Sequence, residues 1–191
     1  HSSGVAAIAE IISDLIGLPN QEIKKMKIAG YFHDLGKLII PNSILNKAGK
    51  LTTKEYNIVK KHPFYTYQIL DGIKGLEDIR NWAAFHHERI DGTGYPFKLD
   101  KNQLSIHARI MAVADVFTAI MEDRPYRAGM DKDQALQILS DMVTDGQLDS
   151  ELVTVLSNNF AEVNQLRNFA QQLEKKHYEE FCYQTDNYQV Q

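Results

Sequence analysis

Apolar residues recur every three or four positions along most of this 191-residue chain. The first such stretch has them at Val5, Ile8, Ala9, Ile12, Leu15 and Ile16. This spacing puts them on one face of an α-helix, and no stretch has the two-residue alternation typical of a strand. The predicted helices cover about 5–16, 21–36, 52–70, 76–87, 106–122, 131–143, 149–163 and 164–181. The sequence therefore predicts an all-α fold, a bundle of about seven to eight helices.

One long break interrupts this helical pattern at residues 88–105. It contains Asp91-Gly92-Thr93-Gly94-Tyr95-Pro96, and two glycines and a proline within six residues do not continue a helix. Because the segment is also polar, we expect a surface loop of defined shape. The predicted helix that begins near Thr52 has Glu55 three residues later, which is the spacing of a capping box.

Composition limits the classes of partner. The formal net charge is −4, so no basic field is available to hold a long nucleic acid, and any nucleotide ligand has to be small. The single cysteine, Cys182, cannot form an internal disulfide, which favours a reducing compartment. No apolar run reaches the roughly 18 residues of a membrane helix. We therefore expect a cytoplasmic protein without a membrane segment.

Six histidines and aspartates lie where they could act as metal ligands. They are His33, Asp34, His62, His86, His87 and Asp115. Asp115 is the most informative, because its neighbours in the predicted helix include Ile110, Met111, Val113, Val116 and Phe117. Burying a carboxylate there without a cation costs several kcal/mol.

Imidazole and carboxylate ligands suit iron, manganese, nickel or zinc, and the lack of clustered cysteines excludes a structural zinc finger. Taken singly, each residue has a simpler interpretation. A helix histidine is more often a core or surface residue than a ligand, and we assign His107 and His177 to that class.

Five motifs occur in a fixed order along the chain. They are His33-Asp34-Leu35-Gly36-Lys37, then His62-Pro63, then His86-His87-Glu88-Arg89-Ile90-Asp91-Gly92-Thr93-Gly94-Tyr95-Pro96, then Ala108 to Asp115, then Asp123-Arg124-Pro125-Tyr126-Arg127. This series resembles the HD-GYP family, bacterial phosphodiesterases of cyclic di-GMP within the HD superfamily of metal-dependent phosphohydrolases. The resemblance implies an HD-superfamily helical bundle over residues 1–160 with a long GYP loop. Residues 161–191 would then form a C-terminal helix that packs on this domain or on a dimer partner.

The resemblance also implies a ligand set. His33, Asp34, His62, His86, His87 and Asp115 would bind two divalent ions, with Asp34 bridging them. The ions would be iron or manganese, with nickel, magnesium or zinc as alternatives. His1 resembles the opening histidine of the family and is a further candidate ligand, although His1-Ser2-Ser3-Gly4 also resembles the end of a polyhistidine tag. A third ion is the alternative to two.

Three further residues match family positions that act on the substrate. Lys37 resembles the lysine that faces the phosphate, and Tyr95 and Arg124 resemble the residues that contact the dinucleotide. The catalytic residues would be Asp34 and Lys37. The implied reaction is hydrolysis of the 3′–5′ phosphodiester of cyclic di-GMP to pGpG, GMP or both, in bacterial second-messenger signalling.

Two alternatives stay open: a phosphodiesterase for a different cyclic dinucleotide, and a weak or inactive module that binds a cyclic dinucleotide or a signalling partner. The resemblance further suggests a homodimer, a diguanylate cyclase or an upstream sensor or receiver domain as partners.

The chain departs from the family pattern at two positions. Thr118 stands where an aspartate is common, and Lys98 stands where a glycine is usual. A carboxylate that orients a ligand or Lys37 would then be missing. Such losses cost 10–100-fold in metal affinity or activity.

Overall fold

The computed structural model describes residues 1–123 and 128–188. Within these ranges it has ten α-helices, one 3₁₀ helix and no strand beyond an isolated bridge between Asp91 and Asp100. The α-helices are α1 (Ser2–Leu15), α2 (Asn20–Phe32), α3 (Asn42–Leu45), α4 (Thr53–Val59), α5 (His62–Asp71), α6 (Glu77–Ala84), α7 (Ile106–Met121), α8 (Lys132–Thr144), α9 (Ser150–Asn158) and α10 (Phe160–Tyr188). The 3₁₀ helix is Leu35–Ile39. The prediction of an all-α fold is confirmed.

Two helices more than expected arise in one region. Short α3 lies in a segment predicted to be a loop, and the helix predicted over 52–70 is divided into α4 and α5. Pro63 explains the division, because it has no N–H to donate to the Val59 carbonyl. The Nδ1 of His62 donates to that carbonyl instead, at 2.8 Å. The capping box predicted at Thr52 and Glu55 is present at the start of α4.

The last predicted helix boundary was wrong by about four residues. The break lies at Asn159, not between residues 163 and 164. The Asn159 side chain donates to the Val155 carbonyl at 2.8 Å, which occupies an acceptor that the next turn of α9 would have used.

The core is built around α1, which packs against α2, α7 and α10. Val5, Ile8 and Ile12 of α1 are fully buried, as are Ile110 and Phe117 of α7. Each such side chain contributes about 1.5–3 kcal/mol by leaving water.

Helices α1 and α2 come very close at Gly30, where a Cβ would lie 2.4 Å from the Ala6 Cα. The short connection between them makes the two helices antiparallel. The start of α1 and the end of α2 therefore lie at the same end of the pair.

The predicted loop over residues 88–105 is confirmed, since no helix lies between α6 and α7. Its base is held by the turn between α8 and α9, where the Asp91 amide donates to the Gly146 carbonyl at 3.0 Å. The turn predicted at Arg124-Pro125-Tyr126-Arg127 lies outside the described residues. No described helix combines the length and the apolar character that crossing a bilayer requires.

Candidate metal centre

The seven candidate ligands come from helix ends and from one buried helix face. His1 caps the start of α1, His33 and Asp34 follow α2, His62 opens α5, His86 and His87 follow α6, and Asp115 lies within α7. The antiparallel pairing of α1 and α2 brings the rings of His1 and His33 to 5.4 Å between centroids. The structure brings all seven predicted residues into one cluster.

Three of the histidines are held in the same way. The Nδ1 atoms of His33, His62 and His86 lie 2.7, 2.8 and 2.6 Å from the carbonyl oxygens three residues earlier in the chain. A carbonyl only accepts, so each Nδ1 carries a proton. Each Nε2 of a neutral ring therefore presents a lone pair to the cluster, which is the arrangement typical of metal-bound histidine.

The lone pairs of these rings need a cation between them. The Nε2 atoms of His62 and His86 are 3.2 Å apart, yet neither neutral ring has a proton left to share. The Nε2 of His33 is buried and has no hydrogen-bond partner among the described residues. A buried nitrogen without a partner costs about 1–3 kcal/mol. These three atoms fit divalent metal ions.

Asp34 lies between two of the rings. Its Oδ1 is 3.2 Å from His62 Nε2, and its Oδ2 is 3.3 Å from His33 Nε2. Although burial opposes the charge, contacts with these histidines and the charge of Lys37 hold the pKa of Asp34 well below its usual range. The two oxygens of Asp34 therefore face different histidines of the cluster.

Lys37 lies on the 3₁₀ helix one turn after Asp34. Its Nζ donates to Asp34 Oδ2 at 2.6 Å. The lysine side chain is about 40% exposed, so its ammonium touches both the cluster and the solvent side of the site.

Asp115 is the second carboxylate of the cluster and is almost fully buried. Its Oδ1 lies 3.0 Å from His1 Nε2 and 3.7 Å from His33 Nε2, and its Oδ2 lies 3.7 Å from His87 Nδ1. Burial works against its charge, but the His1 hydrogen bond and the nearby histidines hold the pKa of Asp115 far below normal. The sequence predicted a compensating cation for Asp115, and the histidines around this carboxylate are groups that could carry a charge themselves or hold a metal ion.

The ligand atoms fall into three overlapping groups, each with its atoms within 4.8 Å of one another. These groups are His62 with His86 and His87, His1 with His33 and Asp115, and His33 with Asp34 and His86. His33 and His86 each belong to two groups, so the groups form one continuous cluster.

Burial also keeps two histidines in the form that binds metal. It lowers the pKa of His87 to about 4 and holds the pKa of His86 well below its usual value, and neighbouring histidines add to both effects. Neutral imidazole is the form that binds a metal ion.

The GYP loop lies beside the cluster. The Tyr95 ring is 4.8 Å from the His87 ring between centroids, and the Tyr95 amide donates to the His87 carbonyl at 3.1 Å. Gly94 lets the loop approach, because a Cβ there would lie 2.4 Å from the Arg89 nitrogen. The structure therefore places Tyr95 at the edge of the site. Arg124, the other predicted substrate contact, lies outside the described residues.

Three residues near the site were missed in the sequence. Glu88 is buried and accepts hydrogen bonds from the Phe97 and Leu99 amides at 2.6 and 3.0 Å, so it ties the loop to the two histidines before it. Lys60 lies with its Nζ 4.4 Å from the Tyr95 ring centroid, and nothing in the sequence around it indicates this contact.

Glu122 is the third missed residue, and its Oε2 accepts from His1 Nδ1 at 2.8 Å. Its signal was present in the sequence, because Glu122 follows Asp115 by seven residues. That spacing is two helical turns and puts both carboxylates on one face.

Comparison with known proteins agrees with this geometry. The sequence profile of the HD domain family matches residues 1–152. The chain is 36% identical over 166 residues to the 3′3′-cGAMP-specific phosphodiesterase 1 of Vibrio cholerae, covering 87% of this chain and 38% of that protein. It is 40% identical over 148 residues to a cyclic di-GMP phosphodiesterase of Pseudomonas aeruginosa, covering 74% of this chain and 34% of that protein. The chain thus spans little more than a third of the length of these curated relatives.

Solved structures share the fold at low sequence identity. A HDG"Y"P protein from Bdellovibrio bacteriovorus superimposes with a TM-score of 0.66 at 18% identity, covering 84% of this chain and 52% of that one. The HD domain of the Listeria monocytogenes phosphodiesterase PgpH, in complex with cyclic-di-AMP, gives a TM-score of 0.62 at 18% identity, covering 88% of this chain and 89% of that one. HD domains bind divalent metal through histidine and aspartate, and the cluster supplies both. The chain belongs to the HD domain family and is of the HD-GYP type, as its ordered motifs predict.

Proposed function

We propose that this domain is a metal-dependent phosphodiesterase that hydrolyses a 3′–5′ phosphodiester of cyclic di-GMP to pGpG, GMP or both. The observation that carries the proposal is the single cluster of His and Asp side chains with Lys37 at its edge. Proteins similar in sequence to this chain are named as phosphodiesterases of cyclic di-GMP and of 3′3′-cGAMP. The domain would cover residues 1–160, with the following helix packed on it, and would act in bacterial signalling inside the cell.

The proposed ligands are His33, Asp34, His62, His86, His87 and Asp115, with His1 as a seventh. The overlap of the three ligand groups at His33 and His86 supports two ions rather than one. Iron or manganese suits this mixture of imidazole and carboxylate. When bound, a pair of such ions activates water and stabilises the oxygens of an in-line displacement at phosphorus.

The protein's own groups complete the reaction. Asp34 places one oxygen beside His62 and the other beside His33, so it would hold a metal ion together with these histidines. Lys37 is held by Asp34 Oδ2 at 2.6 Å and has the exposure needed to meet a phosphate. An ammonium there neutralises the charge that develops on the phosphoryl oxygens.

Substrate contacts would come from the loop side. Tyr95 lies next to His87, and Lys60 above its ring adds a second positive charge at the rim. A cyclic dinucleotide has two phosphates, so a second cation beyond Lys37 is useful to it. Arg124 is proposed as a further contact on the family pattern.

The second candidate substrate is 3′3′-cGAMP, since the chain also matches proteins named as phosphodiesterases specific for it. The second candidate class is a weak or inactive binding module. The full set of ligand side chains in one cluster argues against that class, because binding alone does not require them.

The test is a substrate panel on metal-loaded protein purified without oxygen. We expect turnover of cyclic di-GMP, with cyclic-di-AMP cleaved far more slowly and 3′3′-cGAMP measured in parallel. Asp34→Asn should abolish cleavage, whereas Asp133→Asn, at an exposed position on α8, should not. Preferred cleavage of 3′3′-cGAMP would assign that dinucleotide as the substrate in place of cyclic di-GMP. Metal-loaded protein that cleaves none of the three would contradict the proposal.

A further inference from the structure

Helix α10 reaches the cluster through a chain of side chains that begins at Arg167. Arg167 is only 4% exposed. Its guanidinium donates to the amide oxygens of Asn164, Asn168 and Gln171 on α10 itself, at 2.6–3.0 Å. The described hydrogen bonds of Arg167 thus include no carboxylate. Of its three partners, Gln171 is the one that also contacts a residue outside α10.

The direction of every hydrogen bond in this chain is forced. An arginine only donates, so Gln171 has to present its oxygen to Arg167 and its NH₂ group to the other side. There the NH₂ group donates to Glu122 Oε1. A carboxylate only accepts, so Glu122 Oε2 accepts the hydrogen bond that His1 Nδ1 donates at 2.8 Å.

The last link turns His1 toward the metal centre. With Nδ1 committed to Glu122, Nε2 is the nitrogen that faces the cluster, 3.0 Å from Asp115 Oδ1. Three of the other histidines, His33, His62 and His86, use the carbonyl three residues earlier for this purpose. At His1 the side-chain carboxylate of Glu122 takes this role, because its Oε2 accepts from His1 Nδ1.

We propose that Gln171 and Glu122 are positioning residues that hold His1 in place as a ligand, so that α10 forms part of the metal centre. This inference rests on the proposed metal-dependent function. It extends the centre beyond residues 1–152, the part that the family profile matches. It also gives the chain an orienting carboxylate at Glu122. This residue lies one turn beyond Thr118, the position at which an aspartate is common in the family.

Three variants test the direction of the hydrogen bonds. Gln171→Glu keeps the acceptor for Arg167 but turns a carboxylate toward Glu122. The double variant Gln171→Glu with Glu122→Gln restores the order, because the new amide at position 122 would donate to the new carboxylate at position 171 and accept from His1. Gln172→Glu is the matched control, since it makes the same charge change at the next, exposed position of α10.

The measurement is the dissociation constant for Mn²⁺ by competition with a chelator, together with the melting temperature of metal-free protein. We expect Gln171→Glu to weaken the affinity for one ion at least tenfold, the double variant to recover most of this loss, and Gln172→Glu to match wild type. A role in folding alone would lower the melting temperature of metal-free Gln171→Glu with no change in Mn²⁺ affinity, and that result would overturn the proposal. Wild-type protein that binds no Mn²⁺, Fe²⁺ or Zn²⁺ would overturn the proposed function as well, which separates the two failures.

Discussion

The Nε2 atoms of His62 and His86 lie 3.2 Å apart while both Nδ1 atoms are hydrogen-bonded to backbone carbonyls. In neutral rings this arrangement sets two lone pairs against each other in a buried site. It is unfavourable without a positive charge between them and favourable with one. The backbone therefore prepares these two rings for a cation before any cation binds.

Metal binding should consequently stabilise the fold. At an ion concentration 100 times the dissociation constant the gain is about 2.7 kcal/mol, which for a chain of this size raises the melting temperature by about 5–10 °C. Calorimetry with and without Mn²⁺ measures the shift. We expect His62→Ala to remove most of it and His177→Ala, on the exposed face of α10, to retain it. A wild-type melting temperature that does not respond to divalent ions would contradict this account.

Gly36 should be needed to hold His62 in place. A Cβ at Gly36 would lie 2.0 Å from the His62 carbonyl oxygen and 2.6 Å from the Thr66 nitrogen, so the backbone has to move. We expect Gly36→Ala to cost about 1–3 kcal/mol of stability and to weaken metal binding, because α5 would be pushed away from Asp34. Gly72→Ala is the control, since no atom lies within 4 Å of its Cβ position and its φ is −87°. Equal denaturation midpoints and metal affinities for the two variants would count against the argument.

Lys98 lies in the left-handed region with φ of 59°, where the family usually has glycine. Left-handed backbone costs a residue with a side chain about 1–2 kcal/mol, and glycine avoids this cost. Glycine also makes the unfolded chain more flexible, which cancels part of the gain in stability. We expect Lys98→Gly to raise the free energy of unfolding by about 0.5–1 kcal/mol, measured by urea denaturation. Lys101→Gly, exposed in the same loop and outside the left-handed region, should bring no gain. A loss of stability in Lys98→Gly would show that its side chain has a contact of its own.

Thr118 should resist replacement by the aspartate that the family favours. It is fully buried, and its hydroxyl donates to the Ala114 carbonyl at 2.8 Å. A carboxylate cannot donate to that carbonyl and would be buried beside it. We expect Thr118→Asp to destabilise the fold by about 2 kcal/mol or more and Thr118→Val by about 1 kcal/mol. Thermal melts measure the stability of both variants. A more stable Thr118→Asp variant with tighter metal binding would show that Glu122 does not replace the family aspartate.

The sequence predicted the fold class and the seven members of the cluster, because all of them except His1 lie in motifs whose residues are close along the chain. Helix periodicity also located most of the buried face of α1, although Leu15, which lies on the predicted face, is exposed. It did not locate the end of α4, although Pro63, whose missing N–H divides the predicted helix, was a visible signal in the sequence. The part that α10 plays was not predictable either. Gln171 and Glu122 are 49 residues apart, and polar residues on a long helix look like an ordinary solvated surface until the packing of α10 on α1 is known.

The most direct test of the central claim is the metal content of the chain purified without oxygen, measured by elemental analysis on wild type and His62→Ala. We predict two or more equivalents of transition metal per wild-type chain and a loss of at least one equivalent in the variant. Less than one equivalent in wild type after loading with iron or manganese, or an unchanged content in His62→Ala, would contradict the assignment of this cluster as a metal centre.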